Sequence, residues 1–336
     1  MTKPVGLALV GTGRWGSRLA AAVGRSNRLR LVTCFGRDAG RRSGFATEHG
    51  CRAADSFEEA IEHPGVEGVV LATPNDVHAS QAGVCAEQGR HVFVEKPIAY
   101  SLSDAATMET ACRRAGVALM VGHAFRRLGA ARQVKELLEA GTLGRVVLAE
   151  ANFSLPGVLT PDQWRYYRES CPGGPLMQLG IHHVDTLRYW LGSVERVQGS
   201  FARVATSAEI DDVGVALLDF ENGARGVITG SYVSPRTFFL RLYGSEATLA
   251  YSIDMTVWPD AGRLDEHTTL TLFRQNGIED VGMSRRDMLV EELEEFASCV
   301  KGEAEPETGA TEGTAALAVV LAALESHASG QAAQLS

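Results

Sequence analysis

The sequence predicts a two-domain chain. An N-terminal α/β domain with a doubly wound parallel sheet is followed by an α+β domain with a large, mostly antiparallel open sheet. Three observations carry this. Short apolar runs alternate with helical stretches up to about residue 123, as successive β-α-β units do. Beyond about residue 125 the order changes to a few helices and a long series of strand-like segments. The 336 residues also exceed the roughly 100–200 of one common domain. We place the domains at 1–123 and 124–336, with the C-terminal helices able to pack back on the first.

The elements follow in order. Val5 to Val10 is apolar on both faces, as a strand covered on both sides requires. Gly-Thr-Gly then opens a helix from Trp15 to Arg25. Leu29 to Phe35 is the second strand, Asp38 to Glu48 the second helix, and Ser56-Phe-Glu-Glu starts another with capping-box spacing. A buried-type strand runs from Val66 to Ala72, and a helix from Asp76 to Gln88 is closed by Gly89. His91 to Val94 is a strand, Ser101 to Ala115 a helix closed by Gly116, and Val117 to Val121 a further strand. In the second domain, helix Leu128 to Ala140 precedes strand Val146 to Phe153. Residues 155–174 are rich in Pro, Gly and aromatics and read as a long loop, a feature often functional in a compact domain. Helix Met177 to Leu191 leads to an antiparallel meander over 196–206, 213–220, 224–233, 237–243 and 247–252. Helices over 285–301 and 311–328 finish the chain.

Composition narrows the function classes. Apolar residues make up 45% and charged residues 22%, as in ordinary globular proteins. A net charge of −9 weighs against a nucleic-acid partner. That charge is uneven: residues 1–50 carry nine Lys/Arg and two Asp/Glu, whereas 279–312 carry three basic and eleven acidic. A basic start suits a phosphate-bearing small ligand or an arginine-rich solvated face. No apolar stretch approaches the roughly 20 residues of a membrane span, and no secretory pattern opens the chain. Six cysteines (Cys34, Cys51, Cys85, Cys112, Cys171 and Cys299) show no C-x-x-C spacing. A cytoplasmic protein without a metal is expected.

Gly11-Thr12-Gly13-Arg14-Trp15-Gly16 follows a strand and opens a helix. In that setting the three glycines make a tight turn, let backbone approach a pyrophosphate and let helix pack on strand. The free N–H groups of the helix then face the anion. Dinucleotide binding follows. At the end of the second strand, Gly36 and Arg37 stand where a carboxylate would bind the ribose 2′-OH of NAD. They favour NADP over NAD, with Asp38 as the counter-argument and an N-cap as its other role. Thr73-Pro74-Asn75 and Glu95-Lys96-Pro97 lie at C-terminal strand ends, where open α/β sheets bind ligands. His78, one turn on, is a candidate cofactor contact or a packing residue. A lysine at position 96 is placed to meet a nicotinamide ring and a substrate oxygen together.

These motifs, with Ala72-Thr73-Pro74-Asn75-x-x-His78 and Gly173-Gly174-x-Leu-Met-x-x-Gly180-Ile-His182-x-x-Asp185, resemble the Gfo/Idh/MocA oxidoreductases. The resemblance spans residues 11–185 in order and extends to Asp211-Asp212 and Phe220-Glu-Asn-Gly223. It implies a Rossmann domain and hydride transfer between NAD(P) and a sugar, polyol, inositol or cyclic diol. It also implies a homodimer or homotetramer formed through the C-terminal sheet. Lys96 matches the family's catalytic lysine and His182 its catalytic histidine. Gln178 stands where the family has aspartate, and an amide cannot take a proton at neutral pH. Residues 178, 182 and 185 share one face at i, i+4 and i+7, so Asp185 is a candidate to orient His182. His183 points elsewhere and reads as structural. His123 and Arg126, leaving the last Rossmann strand, and Trp164 and Tyr166, in the long loop, join Gln178 as candidate substrate contacts. The Gln178 departure keeps open a redox-neutral lyase or glycoside-cleaving enzyme with tightly held NAD(P), and the resemblance also allows a non-catalytic nucleotide-dependent sensor, against which the intact Glu95-Lys96-Pro97 motif and His182 count.

Overall fold

The computed structural model describes residues 3–157 and 159–335; Val158, within the expected long loop, lies outside them. The chain divides into two compact units, Met1–Ala124 with Met288–Thr314, and Phe125–Asp287 with Ala315–Ser336.

The first unit is built on six parallel strands: β1 (Val5–Val10), β2 (Leu29–Phe35), β3 (Arg52–Ala53), β4 (Gly68–Leu71), β5 (His91–Glu95) and β6 (Leu119–Gly122). Their order is β3-β2-β1-β4-β5-β6. Direction of winding reverses between β1 and β4, and ligands bind outside the carboxyl ends of strands at such a switch point. Every residue of β1 and β4 is buried, which accounts for their unbroken apolar runs. The helices are α1 (Arg14–Arg25), α2 (Ala39–His49), α3 (Phe57–Glu62), α4 (His78–Glu87) and α5 (Leu102–Ala115). Asp38 caps α2 by accepting the Arg41 N–H at 2.7 Å, and Ser56 and Ser101 cap α3 and α5 in the same way.

Met288–Thr314 completes this unit from far along the chain. Phe296 meets Phe93 edge-on with ring centroids 5.8 Å apart, and the Ser26 hydroxyl donates to Glu294 at 2.6 Å. Val121 and Thr308 exchange hydrogen bonds through the Val121 N–H and the Thr308 hydroxyl, each 2.7 Å long, which covers the edge strand β6.

The second unit holds α6 (Gly129–Glu139), β7 (Val146–Ser154), α7 (Ile181–Leu191), β8 (Val194–Ala202), β9 (Val213–Phe220), β10 (Arg225–Ser231), β11 (Thr237–Gly244), β12 (Thr248–Ile253), β13 (Thr268–Arg274), β14 (Gly277–Asp280) and β15 (Ala333–Gln334). The nine strands run β14-β13-β12-β11-β7-β10-β9-β8-β15. The expected antiparallel meander needs correcting at its centre. β7 inserts between β10 and β11 and pairs with β10 in parallel, Ala149 beside Gly226 and Phe153 beside Gly230. One face is core: Leu218, Phe220, Leu240, Leu242, Leu249, Tyr251, Leu270 and Leu272 are all buried. On the other face Leu217 is 49% and Phe273 41% exposed. Among the described residues no helix is long and apolar enough to cross a membrane.

Candidate active site

In the first unit the expected cofactor residues gather at the carboxyl ends of β1, β2, β4 and β5. Gly11 adopts φ +107°, and a Cβ there would lie 2.3 Å from the Ala72 carbonyl oxygen, so only glycine fits between β1 and β4. At Gly16 a Cβ would lie 2.0 Å from the Gly11 oxygen, which fixes how closely α1 approaches the turn. Gly13 begins α1 in extended backbone with no side-chain cap, and a Cβ added there meets nothing within 4 Å. That leaves space above helix N–H groups that lack intrahelical partners, the provision an incoming pyrophosphate needs. Asn75 is 6% exposed, and its side-chain NH₂ has no protein partner. A buried donor in that position calls for a ligand acceptor. The residues present therefore fit a dinucleotide.

Around the adenosine end, Thr12 lies under Gly36, where a Cβ would sit 2.3 Å from its hydroxyl. Arg37 and Arg41 are exposed. Arg42 is used within the protein, donating to the Gly36 carbonyl at 2.9 Å and to Asp55 at 3.0 Å. Arg14 is exposed beside the glycine turn, and the Arg18 guanidinium lies 5.3 Å from the Trp15 ring centre.

His78 turns away from this crevice, which corrects its candidacy as a cofactor contact. It is fully buried, with Nδ1 3.1 Å from the Pro97 carbonyl oxygen and 3.3 Å from that of Ile98, and Nε2 3.1 Å from that of Thr73. Burial holds its pKa below the usual imidazole value against the pull of those carbonyls. The ring braces the Thr73 loop against the segment after Lys96.

Glu95 is 6% exposed and accepts the Lys96 backbone N–H at 3.2 Å. Burial pushes its carboxyl up to about 7, against the Lys96 charge, the Trp15 indole and that N–H. Between 4.5 and about 7 the folded chain thus retains a proton that the unfolded chain has released. Stability contributed by the protonated form is complete below 4.5 and is lost as pH rises through that window. Glu95→Gln is therefore expected to flatten the pH dependence of thermal unfolding between 4.5 and 7. Identical slopes in wild type and variant would refute the raised carboxyl.

In the second unit His182 lies on α7, 4% exposed. Its ring centre is 4.5 Å from that of Phe125 and 6.0 Å from that of Phe153, and Phe125 stacks on Phe238 at 5.2 Å. Trp258 closes this aromatic group, 6.0 Å from Phe125 and 5.7 Å from Phe153. The four aromatics come from separate parts of the chain and were absent from the sequence expectations. Their only local signal is the inward alternation of Phe153 and Phe238 along β7 and β11. His183 is fully buried, and burial pulls its pKa down to about 4, so it is neutral near pH 7.

Two expectations change here. Arg126, proposed to bind substrate, is 4% exposed and directs Nε and one terminal NH₂ onto both oxygens of Asp185, with the Nε–Oδ2 distance 2.9 Å. The Arg126–Asp185 fork engages both carboxylate oxygens of Asp185. The helix carrying Gln178 also starts differently: Leu176–Gly180 forms a π turn ahead of α7. Gln178, 4% exposed, thus reaches its place through a wider turn than the i, i+4 spacing assumed. His123 is 1% exposed, at the end of the first unit's sheet. Trp164 and Tyr166 belong to another cluster: Arg165 covers Trp164 at 4.2 Å, and the Tyr166 hydroxyl donates to the Ser207 carbonyl at 3.0 Å.

Two family models match the chain. Residues 5–123 match a model described as an oxidoreductase family with an NAD-binding Rossmann fold, and 131–250 a GFO/IDH/MocA C-terminal domain. The chain is 28% identical over 312 residues to a 1,5-anhydro-D-fructose reductase of Ensifer adhaerens, covering 91% of each. Its fold superposes with TM-score 0.95 on a provisionally assigned NADPH-dependent oxidoreductase of Desulfitobacterium hafniense, 35% identical, over 99% of this chain and 98% of that one. It also matches the WlbA dehydrogenase of Bordetella pertussis, solved with NADH and UDP-GlcNAcA, at TM-score 0.85 and 25% identity over 100% and 99% of the two chains.

Proposed function

Because this chain belongs to the Gfo/Idh/MocA oxidoreductases, we propose that it moves a hydride between NAD(P) and a hydroxyl- or carbonyl-bearing carbon of a sugar, polyol, inositol or cyclic diol. The observation that carries this reading is the convergence of the Gly11–Gly16 turn, the unsatisfied Asn75 amide and the Glu95-Lys96 pair at adjoining strand ends of one parallel sheet. When bound, the nicotinamide supplies the hydride acceptor or donor. Gly13 and the N-terminus of α1 hold the pyrophosphate, and Asn75 donates to a polar group of the cofactor. Lys96 takes the hydroxyl proton on oxidation and returns it on reduction, while its charge steadies the oxyanion. Glu95, beside it, tunes how tightly that proton is held. His182 serves as the second acid–base group, and Gln178 hydrogen-bonds a substrate hydroxyl without exchanging protons.

NADP is the favoured cofactor. Arg37 is exposed just beyond the end of β2, and Asp38 is engaged as the cap of α2. Arg37→Ala is expected to weaken NADP⁺ about tenfold, near 1.4 kcal/mol, and to leave NAD⁺ unchanged. Equal losses for both dinucleotides in a binding titration would refute this. The exposed Leu217 and Phe273 face of the nine-stranded sheet is proposed as a homo-oligomer contact. A reducing, cytoplasmic setting fits six cysteines that all stand as thiols. The direct test is a screen of polyols and sugars for stoichiometric reduction of the dinucleotide. Substrate turnover without net reduced dinucleotide would overturn the dehydrogenase reading.

A further inference from the structure

Gly36 is a glycine for a reason other than its backbone. Its φ lies outside the left-handed region that Gly11 occupies, so the conformation there does not call for glycine. What excludes a side chain is Thr12. A Cβ at position 36 would lie 2.3 Å from the Thr12 hydroxyl oxygen and 3.3 Å from both Thr12 Cβ and Cγ2, and these are its three nearest neighbours. Thr12 is 7% exposed and branched at Cβ, so few rotamers are open to it. In one of them the oxygen fills the contested point, and in another the methyl does. Neither backbone is placed to withdraw. The Gly11 N–H donates to the Phe35 carbonyl at 2.8 Å, which ties the turn carrying Thr12 to the end of β2. Arg42 donates to the Gly36 carbonyl at 2.9 Å and to Asp55 at 3.0 Å, and Asp38 caps α2. Two pinned segments therefore face each other with the Thr12 side chain filling the space between them.

We propose that Thr12 is a specificity-determining residue of the dinucleotide site. By filling the space that a side chain at position 36 needs, it keeps a carboxylate away from the end of β2 and leaves the ribose 2′ position to Arg37. A carboxylate that binds a ribose 2′-OH branches from the end of the second strand. Three positions follow β2 directly, and each is spoken for. Position 36 is closed to side chains by Thr12, position 37 carries an exposed guanidinium, and the Asp38 carboxylate accepts the Arg41 N–H at 2.7 Å. A 2′-phosphate arriving there meets a cation and no uncommitted anion. The preference is therefore set by two turns together, one after β1 and one after β2. Exchanging Gly36 alone does not reverse it, because the new side chain has nowhere to go until Thr12 is cut back.

The specificity role rests on the proposed NADP preference; the steric pair does not, and thermal unfolding without cofactor separates the two. In the full-length protein, Gly36→Ala is expected to lower the unfolding temperature by about 3 °C or more when Thr12 is present. Against Thr12→Ala alone, the same change is expected to cost less than about 1 °C. NAD⁺ and NADP⁺ are then titrated into the Gly36→Asp protein and into the double variant with Thr12→Ala. Gly36→Asp alone is expected to bind NAD⁺ no better than wild type. Adding Thr12→Ala to it is expected to tighten NAD⁺ about tenfold while NADP⁺ weakens. A Gly36→Asp protein that folds only when Thr12→Ala accompanies it supports the contact, whereas failure of both to fold overturns it. Equal unfolding losses from Gly36→Ala in the two backgrounds also overturn it. Gly36→Asp alone gaining as much NAD⁺ affinity as the double variant overturns the specificity role, as does a folded double variant with no gain. The expected unfolding pattern in a protein that binds neither dinucleotide overturns the cofactor reading, and the specificity role with it.

Discussion

Lys96→Ala is expected to lower kcat by about 10²- to 10⁴-fold, the usual contribution of one positioned acid–base group. The loss should fall on kcat far more than on cofactor Kd. Lys96 follows the strand β5, whereas the pyrophosphate provision lies at Gly13 and α1. Removing the lysine leaves that provision intact and deletes the proton acceptor beside Glu95. It also leaves Glu95 without the nearby positive charge that opposes the effect of burial, so its carboxyl should rise further. Lys96→Arg keeps charge but cannot release a proton near neutral pH, and is expected to remain nearly as slow as alanine. A Lys96→Ala protein with wild-type kcat, measured under saturating cofactor, would remove this residue from the chemistry.

The second large effect concerns stability. Asp185→Ala leaves the Arg126 guanidinium buried without its bidentate carboxylate, and a loss of about 3–5 kcal/mol is expected. Chemical denaturation of the variant would show it as a lower midpoint. Both groups are nearly inaccessible, 5% and 1% exposed in their side chains, so solvent screens the pair little. The paired replacement Arg126→Met with Asp185→Leu removes both charges and is expected to recover much of that loss. If Arg126 instead served the substrate, Arg126→Ala would raise KM and leave the unfolding midpoint in place. The two outcomes are separable in one preparation.

Five strands of the first sheet were legible in the sequence as short apolar runs, fully buried in β1 and β4, whereas β3, two residues long and partly exposed, has no such run and was missed. The second was legible only in part. β9 and β10 follow one another through a four-residue turn and β8 precedes β9 by ten residues, so their pairing is local. The parallel partner of β7, by contrast, lies some 77 residues away, Ala151 beside Ile228, and no local pattern announces it. The same distance hides the Arg126–Asp185 fork: each residue was singled out, but their separation of 59 positions concealed that they answer each other. His182 could be found by its motif. Phe125, Phe238 and Trp258 around it could not, since an aromatic facing a core looks alike wherever it stands. The π turn at Leu176–Gly180 escaped because spacing arguments assume 3.6 residues per turn.

The composition of the first unit bears on how this chain emerges from a ribosome. Its parallel sheet is fully synthesised by Gly122, yet Phe296, which covers Phe93 and Gly68, and Thr308, which closes the β6 edge, come almost two hundred residues later. Throughout that interval the nascent sheet has an uncovered apolar patch and an open edge, the features that invite association with other chains. A stop codon anywhere between 125 and 287 would make that state permanent. The segment Met288–Thr314 is thus a completion signal for the first 124 residues, and no single cut yields the nucleotide-binding half alone.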